Sequence, residues 1–365
     1  MKEVNEQELP EESIVDQDEL DDEVAYVQYD ITSYGADYTV DGLVKRLKKG
    51  DIFIPPFQRD YVWNHAEASR LIESLLLGLP IPGIFLAKES DNKLLIIDGQ
   101  QRLKSLQFFY DGFFNPKPEQ KTKRVFKLIK VQKKFEGLTY EKLSDSDRIK
   151  IDDSIIHATI IKQEAPAEDN TSVYHVFERL NTGGKKLASQ EIRTAIYHGS
   201  LNNLIGTLNK FEDWRELYGP TSARLKDQEL ILRFFAVYYN FNSYAKPMFE
   251  FLNKFNSKKR NASEDVLEEY KETFKDTITF IKENLGKAAF RPDRSLNVSA
   301  FEAVTVGVAK LLKLKDREIN ISKFKTAHQK LFSDSSFINA ITRGTSDETA
   351  FAERHKLVDM YFSET

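Results

Sequence analysis

The chain contains no cysteine. That excludes disulfides, thiolate nucleophiles and cysteine-ligated metals. Long apolar runs are missing too. The longest, residues 75–87, is broken by prolines and too short to span a membrane. No GxxxxGK[ST] run occurs, so phosphate binding of the P-loop type is excluded. The chain starts on acid rather than on an apolar leader: residues 1–25 hold eleven Asp or Glu against one Lys, a formal charge of −10. Such a stretch is no signal peptide, and it is too poor in apolar residues to order itself. The expectation is a cytoplasmic protein with a disordered acidic arm. The arm can screen whatever basic surface the body has.

The remaining residues, 26–365, carry 52 basic and 46 acidic side chains, a formal charge of +6. A mildly basic body permits contact with nucleic acid without demanding it. A length of 365 residues allows two domains or one large one with an ample core.

What is present centres on residues 94–106, LLIIDGQQRLKSL. Four apolar residues, Leu94 to Ile97, predict a buried strand; Leu103, Leu106 and Tyr110 then recur at helical spacing until Asp111-Gly112 stops them. Asp98, Gly99, Gln100, Gln101 and Arg102 therefore sit where a strand passes into the first turn of a helix. Backbone N–H groups and the positive dipole end there favour an anion, and Arg102 adds a fork suited to phosphate oxygens. The plainer alternative is a polar turn in which Arg102 pairs with Asp98.

A second stretch, IPPFQRDYVW at 54–63, places Gln58 and Arg59 after a double proline that stiffens their loop. A third, VFERLNTGG at 176–184, delivers Arg179 and Asn181 to the end of a helical stripe. The combination of FQR, DGQQR and FxRLN resembles the ParB/sulfiredoxin-like superfamily, and within it the N-terminal domain of GmrSD-type restriction enzymes, which attack modified phage DNA. That resemblance implies a ParB-like α+β domain that binds a nucleoside triphosphate with Mg²⁺ and hydrolyses it. Carried over by motif, Arg102 and the Gly99 backbone would hold phosphates, with Asp98 binding Mg²⁺ or orienting water. Gln100 and Gln101 would position the nucleophile. Gln58, Arg59 and Asn181 would complete the pocket. Where ParB-type motifs place an acidic residue after the glycine this chain has Gln100, which bears on hydrolysis more than on binding.

The same resemblance implies a sensor or regulator of prokaryotic antiviral defence, with nucleotide and modified phage DNA as partners. The alternative is a Mg²⁺-dependent nickase or endonuclease using the same pocket, since a DNA phosphate asks for similar chemistry. Neither an HNH pattern nor a PD-(D/E)xK run is present, and His328 and His355 lack metal-ligand spacing. Any cutting would fall to the DGQQR pocket or to a separate effector nuclease. An oligomer is compatible with this reading, a membrane partner is not.

Along the rest of the chain, Val40, Leu43, Val44 and Leu47 predict a helix that Gly50 ends. Asn64 with Glu67 predicts a capping box on the next. Residues 83–88, 93–97, 125–131 and 155–162 read as strands. Lys117, Lys121, Lys123 and Arg124 make a basic loop that is either solvated or in contact with a phosphate backbone. Ser189 is expected to cap a helix ending at Gly199. From about residue 200 strand signals vanish and 3.6-residue stripes repeat, which predicts an all-helical second domain. The expected division is an arm at 1–25, an α+β domain at 26–199 and a helical domain at 200–365.

Overall fold

The computed structural model describes residues 14–16, 30–54, 61–89, 91–117, 122–165, 171–180, 187–314, 319–363 and 365. The chain is mixed α+β, and it divides into two units: residues 29–187, and residues 188–365 together with 1–28. No described helix is long and apolar enough to cross a membrane.

In chain order the elements up to residue 187 are β1 (Ile14–Val15), β2 (Asp30–Thr39), α1 (Val40–Lys49), β3 (Ile52–Phe53), α2 (His65–Leu77), β4 (Ile84–Lys88), β5 (Leu94–Asp98), α3 (Gln100–Asp111), α4 (Asp145–Asp152), β6 (Ile155–Ala165) and α5 (Thr171–Leu180). Strands β2 to β6 form one mixed sheet in the order β2-β6-β4-β5-β3, with β4 antiparallel to β5 and parallel to β6. The hairpin β4–β5 matches its expectation because every residue of Leu94–Ile97 is buried. Helix α1 buries Val40, Leu43 and Val44 and closes on left-handed Gly50. Asn64 and Glu67 form the expected capping box on α2. At the far end of α3, Tyr110 donates to Asp152 of α4 at 2.5 Å, and Tyr140 donates to the same carboxylate.

One expectation fails here and one strand was missed. Residues 125–131 do not form a strand: only an isolated bridge joins Val125 to Phe113. The alternation that suggested a strand is real, but Phe126 and Leu128 bury themselves in the core of this unit instead of extending the sheet. Conversely β2, ten residues long, carried no clear signal. It is an edge strand exposed along most of its length, so it has little hydrophobic pattern to read.

The second unit is helical, with α6 (Ser189–Ile196), α7 (Ser200–Leu208), α8 (Glu212–Tyr218), α9 (Lys226–Asn240), α10 (Met248–Lys259), α11 (Glu264–Asn284), then β7 (Leu296–Asn297), α12 (Val298–Lys313), α13 (Ile321–Leu331), α14 (Ser335–Ala340) and α15 (Glu348–Phe362). Phe234, Phe235, Trp214, Phe274 and Phe301 are fully buried at its centre. The unit begins earlier than expected because α6 is tied into it: Arg193, 1% exposed, reaches Asn253 of α10 and Glu229 of α9. Glu191, not Ser189, caps α6, by accepting from the Ala188 N–H. Gly199 opens α7 rather than closing α6, and a Cβ there would lie 2.4 Å from the Arg260 carbonyl.

The acidic arm is not wholly disordered. Ile14 and Val15 pair in parallel with Leu296 and Asn297, and Asp16 forms an ion pair with Lys226. The rest of residues 1–25 lies outside the described residues.

Buried polarity is concentrated in this helical unit. Glu302 on α12 is fully buried and receives Arg354 from Nε and Nη2, at 3.0 and 2.7 Å. His355 Nε2 lies 3.1 Å from the same oxygen, and Arg233 Nε 3.4 Å from the other. The late histidines are thus structural: His355 faces Glu302 and His328 bonds the Ala289 carbonyl at 3.0 Å.

Candidate functional site

The DGQQR turn is built by one glycine. Gly99 has φ +98°, a left-handed conformation, and a Cβ there would stand 2.4 Å from Ile84 Cγ2. Only glycine lets β5 reverse into α3 this closely over buried Ile84. Gly99 has no side chain to cap α3, and the first turn of α3 holds no acidic residue at the positive end of the dipole.

Arg102, on the first turn, points back. Its Nη2 donates to the Gly83 carbonyl at 2.8 Å and to Asp98 Oδ2 at 2.9 Å. The plainer expectation for this pair is therefore what the structure shows. The Arg102 side chain is 15% exposed and that of Asp98 48%, so the pair stands at the surface with its cation seated and its carboxylate open. The guanidinium is not fully used: Nε is buried with no hydrogen-bond partner.

Gln101 does something the sequence did not suggest. Its Oε1 accepts from the backbone N–H groups of Val62 and Trp63, at 3.0 and 3.3 Å. Ser105 Oγ donates to the Gln101 carbonyl at 2.7 Å, which leaves the Tyr61 hydroxyl as the donor in its 2.6 Å contact with Ser105. Burial pushes the Tyr61 hydroxyl up to about 12, so it stays a donor at neutral pH. Gln101 is thus a positioning residue that fixes 61–63 to the first turn of α3.

The expected site is only partly assembled among the described residues. Asp98, Gly99, Gln100, Gln101 and Arg102 come together on one turn. Gln58, Arg59 and Asn181 lie outside the described residues. Arg179 ends α5 as an exposed side chain, on a helix that packs against β5 and β6. Sequence reasoning missed Ile84, Gly83 and Tyr61, which shape the turn from elsewhere in the chain. Among the described residues, no group of three or more His, Asp or Glu could hold a metal ion.

Replacing Gln101 by Met removes the acceptor of two N–H groups, that of Val62 exposed and that of Trp63 part-buried. We expect a loss of about 0.5–1.5 kcal/mol, with faster amide exchange at Val62 and Trp63 as the local readout. Unchanged exchange at both amides would contradict the clamp.

Residues 40–198 match the GmrSD restriction endonuclease N-terminal domain. The GmrSD-like stretch contains the whole DGQQR turn, the 61–63 clamp and both strands beneath them. An uncharacterized protein of Methanocaldococcus jannaschii is 33% identical over an alignment covering 18% of this chain and 15% of its own. The chain thus spans about a seventh of that curated relative's length.

Proposed function

We propose that the chain is a nucleotide-binding and nucleotide-hydrolysing sensor in defence against modified foreign DNA, with the DGQQR turn as its phosphate-handling centre in a ParB-like domain. The observation that carries this reading is a helix start with a glycine at its cap and no acid in its first turn, beside a seated guanidinium whose Nε is buried and unpartnered. Helix N-terminus and Arg fork together favour a phosphate. Asp98, a half-exposed carboxylate at the strand end, suits Mg²⁺, which is commonly held by one or two carboxylates plus substrate phosphates. When bound, the ion would neutralise charge on the phosphates. Arg102 holds Asp98 in place and Gln100 lies beside it on the first turn. Gln58, Arg59 and Asn181 complete the pocket in this reading, and the chain leaving the FQR loop is already fixed to α3 at 61–63. A match to a restriction-enzyme domain supports defence as the setting, and in this reading cutting falls to a separate effector subunit.

Calorimetry with the four ribonucleoside triphosphates and Mg²⁺ tests the reading. We expect one of them to bind, Arg102→Ala to weaken it about ten- to a hundredfold, and Asp98→Asn to end phosphate release while binding persists. No binding by any of the four refutes it. Nicking of unmodified plasmid without nucleotide, lost in Asp98→Asn, establishes the endonuclease reading instead.

A further inference from the structure

Residues 122–136 carry six Lys or Arg and one Glu, a formal +5. That is most of the +6 carried by the entire body from 26 to 365. The charge is therefore concentrated. Lys123, Arg124, Lys127, Lys130, Lys133 and Lys134 are all exposed, and none has an acidic partner among the described residues.

The nearby carboxylates are turned elsewhere. Glu136 accepts from the backbone N–H groups of Lys130 and Val131, at 3.3 and 3.2 Å, and Glu73 from that of Gln132 at 2.7 Å. The segment is also anchored. Phe126 and Leu128 are fully buried and Phe135 nearly so. Backbone bonds tie Phe114 to Arg124, Phe126 to Gly112 and Leu128 to Leu138, each at 2.8 Å. Lys123 stands 5.3 Å over the Phe113 ring and Arg124 5.6 Å over Phe114. A solvated loop needs none of this. Here unpaired cations are mounted on a fixed scaffold and aimed outward.

We propose that this segment is a sequence-independent contact surface for the phosphate backbone of double-stranded DNA. Unpaired cations along a short path are what neutralise successive phosphates and release their counterions. The segment has neither a helix nor a two-stranded ribbon to enter the major groove, so base edges are not read here. A membrane surface fits less well, because among the described residues of the segment and its flank only Phe113 and Val125 offer exposed apolar bulk. The choice of DNA over another polyanion rests on the defence reading above. The surface itself does not depend on the DGQQR turn.

The test is fluorescence anisotropy of a labelled random-sequence duplex with the full chain, over a salt series, against a variant carrying K123Q, R124Q, K127Q and K130Q. All four side chains are exposed, so the fold should survive, and an unchanged circular dichroism melt will show it. The slope of log affinity against log salt should fall by about 3–4, since each phosphate contact contributes about 0.9. At low salt, binding should weaken at least tenfold, and two unrelated duplexes should bind alike. Equal affinity and slope in wild type and variant overturns the proposal, as does wild-type binding to phosphatidylserine vesicles in preference to duplex. Basal nucleotide hydrolysis should be untouched in the variant. If nucleotide chemistry proves absent while the variant still loses DNA, the surface stands and the nucleotide reading falls.

Discussion

Gly99→Ala will cost the sheet unit about 2–5 kcal/mol. Two terms add. A residue with a Cβ forced to a left-handed backbone loses roughly 1–2 kcal/mol, and the φ of Gly99 is +98°. Overpacking adds roughly 1–3 kcal/mol, because the new Cβ would sit 2.4 Å from Ile84 Cγ2. Ile84 is 1% exposed and branched at Cβ, so it has nowhere to turn. For a unit of this size the melting midpoint should fall by roughly 10 °C. The displaced turn would also release Arg102 from Gly83 and Asp98, so nucleotide binding should fall along with stability. Calorimetry that leaves the midpoint within a degree of wild type would mean that the turn relaxes freely, and the tight seat described for it would be wrong.

Glu302→Gln will be the costliest single change in the helical unit. Removing one partner of a buried ionic cluster typically loses about 3–5 kcal/mol, because the other charges stay buried without compensation. Here Arg354 and Arg233 would remain, at 0% and 1% exposure. The cluster also sets a pH profile. Burial alone would push Glu302 up, yet Arg354, the His355 hydrogen bond and Arg233 hold it down at about 2. Glu229 is likewise held at about 2, against burial, by Lys226 and Arg193. A carboxylate depressed in the folded state contributes stability above its unfolded range, near 4.5, and loses it as pH falls toward 2. His355 and His328 are lowered, chiefly by burial. Their stabilising contribution is complete above about 6.5 and is lost as pH falls below that. All four act in one direction, so the unit should weaken from about pH 6.5 downward, more steeply below 4.5. Urea titrations at pH 7, 5.5 and 3.5 check both statements, and the variant should show a shallower acid limb. Full stability of Glu302→Gln at pH 7 would remove the cluster from the account.

Much of the fold could be read from local pattern. The α1 and α2 boundaries, the β4–β5 hairpin and the long helices of the second unit all rest on signals within about twenty residues. The turn at Gly99 was legible for the same reason. What could not be read is non-local or unpatterned. Gln101 finds Val62 and Trp63, 39 and 38 residues away, and nothing near Gln101 announces a partner. Edge strand β2 shows little alternation because both of its faces are largely exposed. Phe126 and Leu128 imitate a strand because two anchors two residues apart look like one face of a sheet. Arg193 moves the domain boundary through contacts about 36 and 60 residues further on.

The pairing of Ile14 and Val15 with Leu296 and Asn297 joins residues about 280 positions apart. On the ribosome the first of these partners emerges well before the second is made. The unit at 29–187 can finish before the helices that follow it exist. The strand at Ile14–Val15 can close only after Leu296 and Asn297 exist, and its neighbour Asp16 docks on Lys226 of the same unit. A bulky tag at the N-terminus would be felt first in the helical unit and not in the unit carrying DGQQR, although that unit is nearer in sequence. Chains released before residue 297 would leave Ile14 and Val15 without the partner strand they have here.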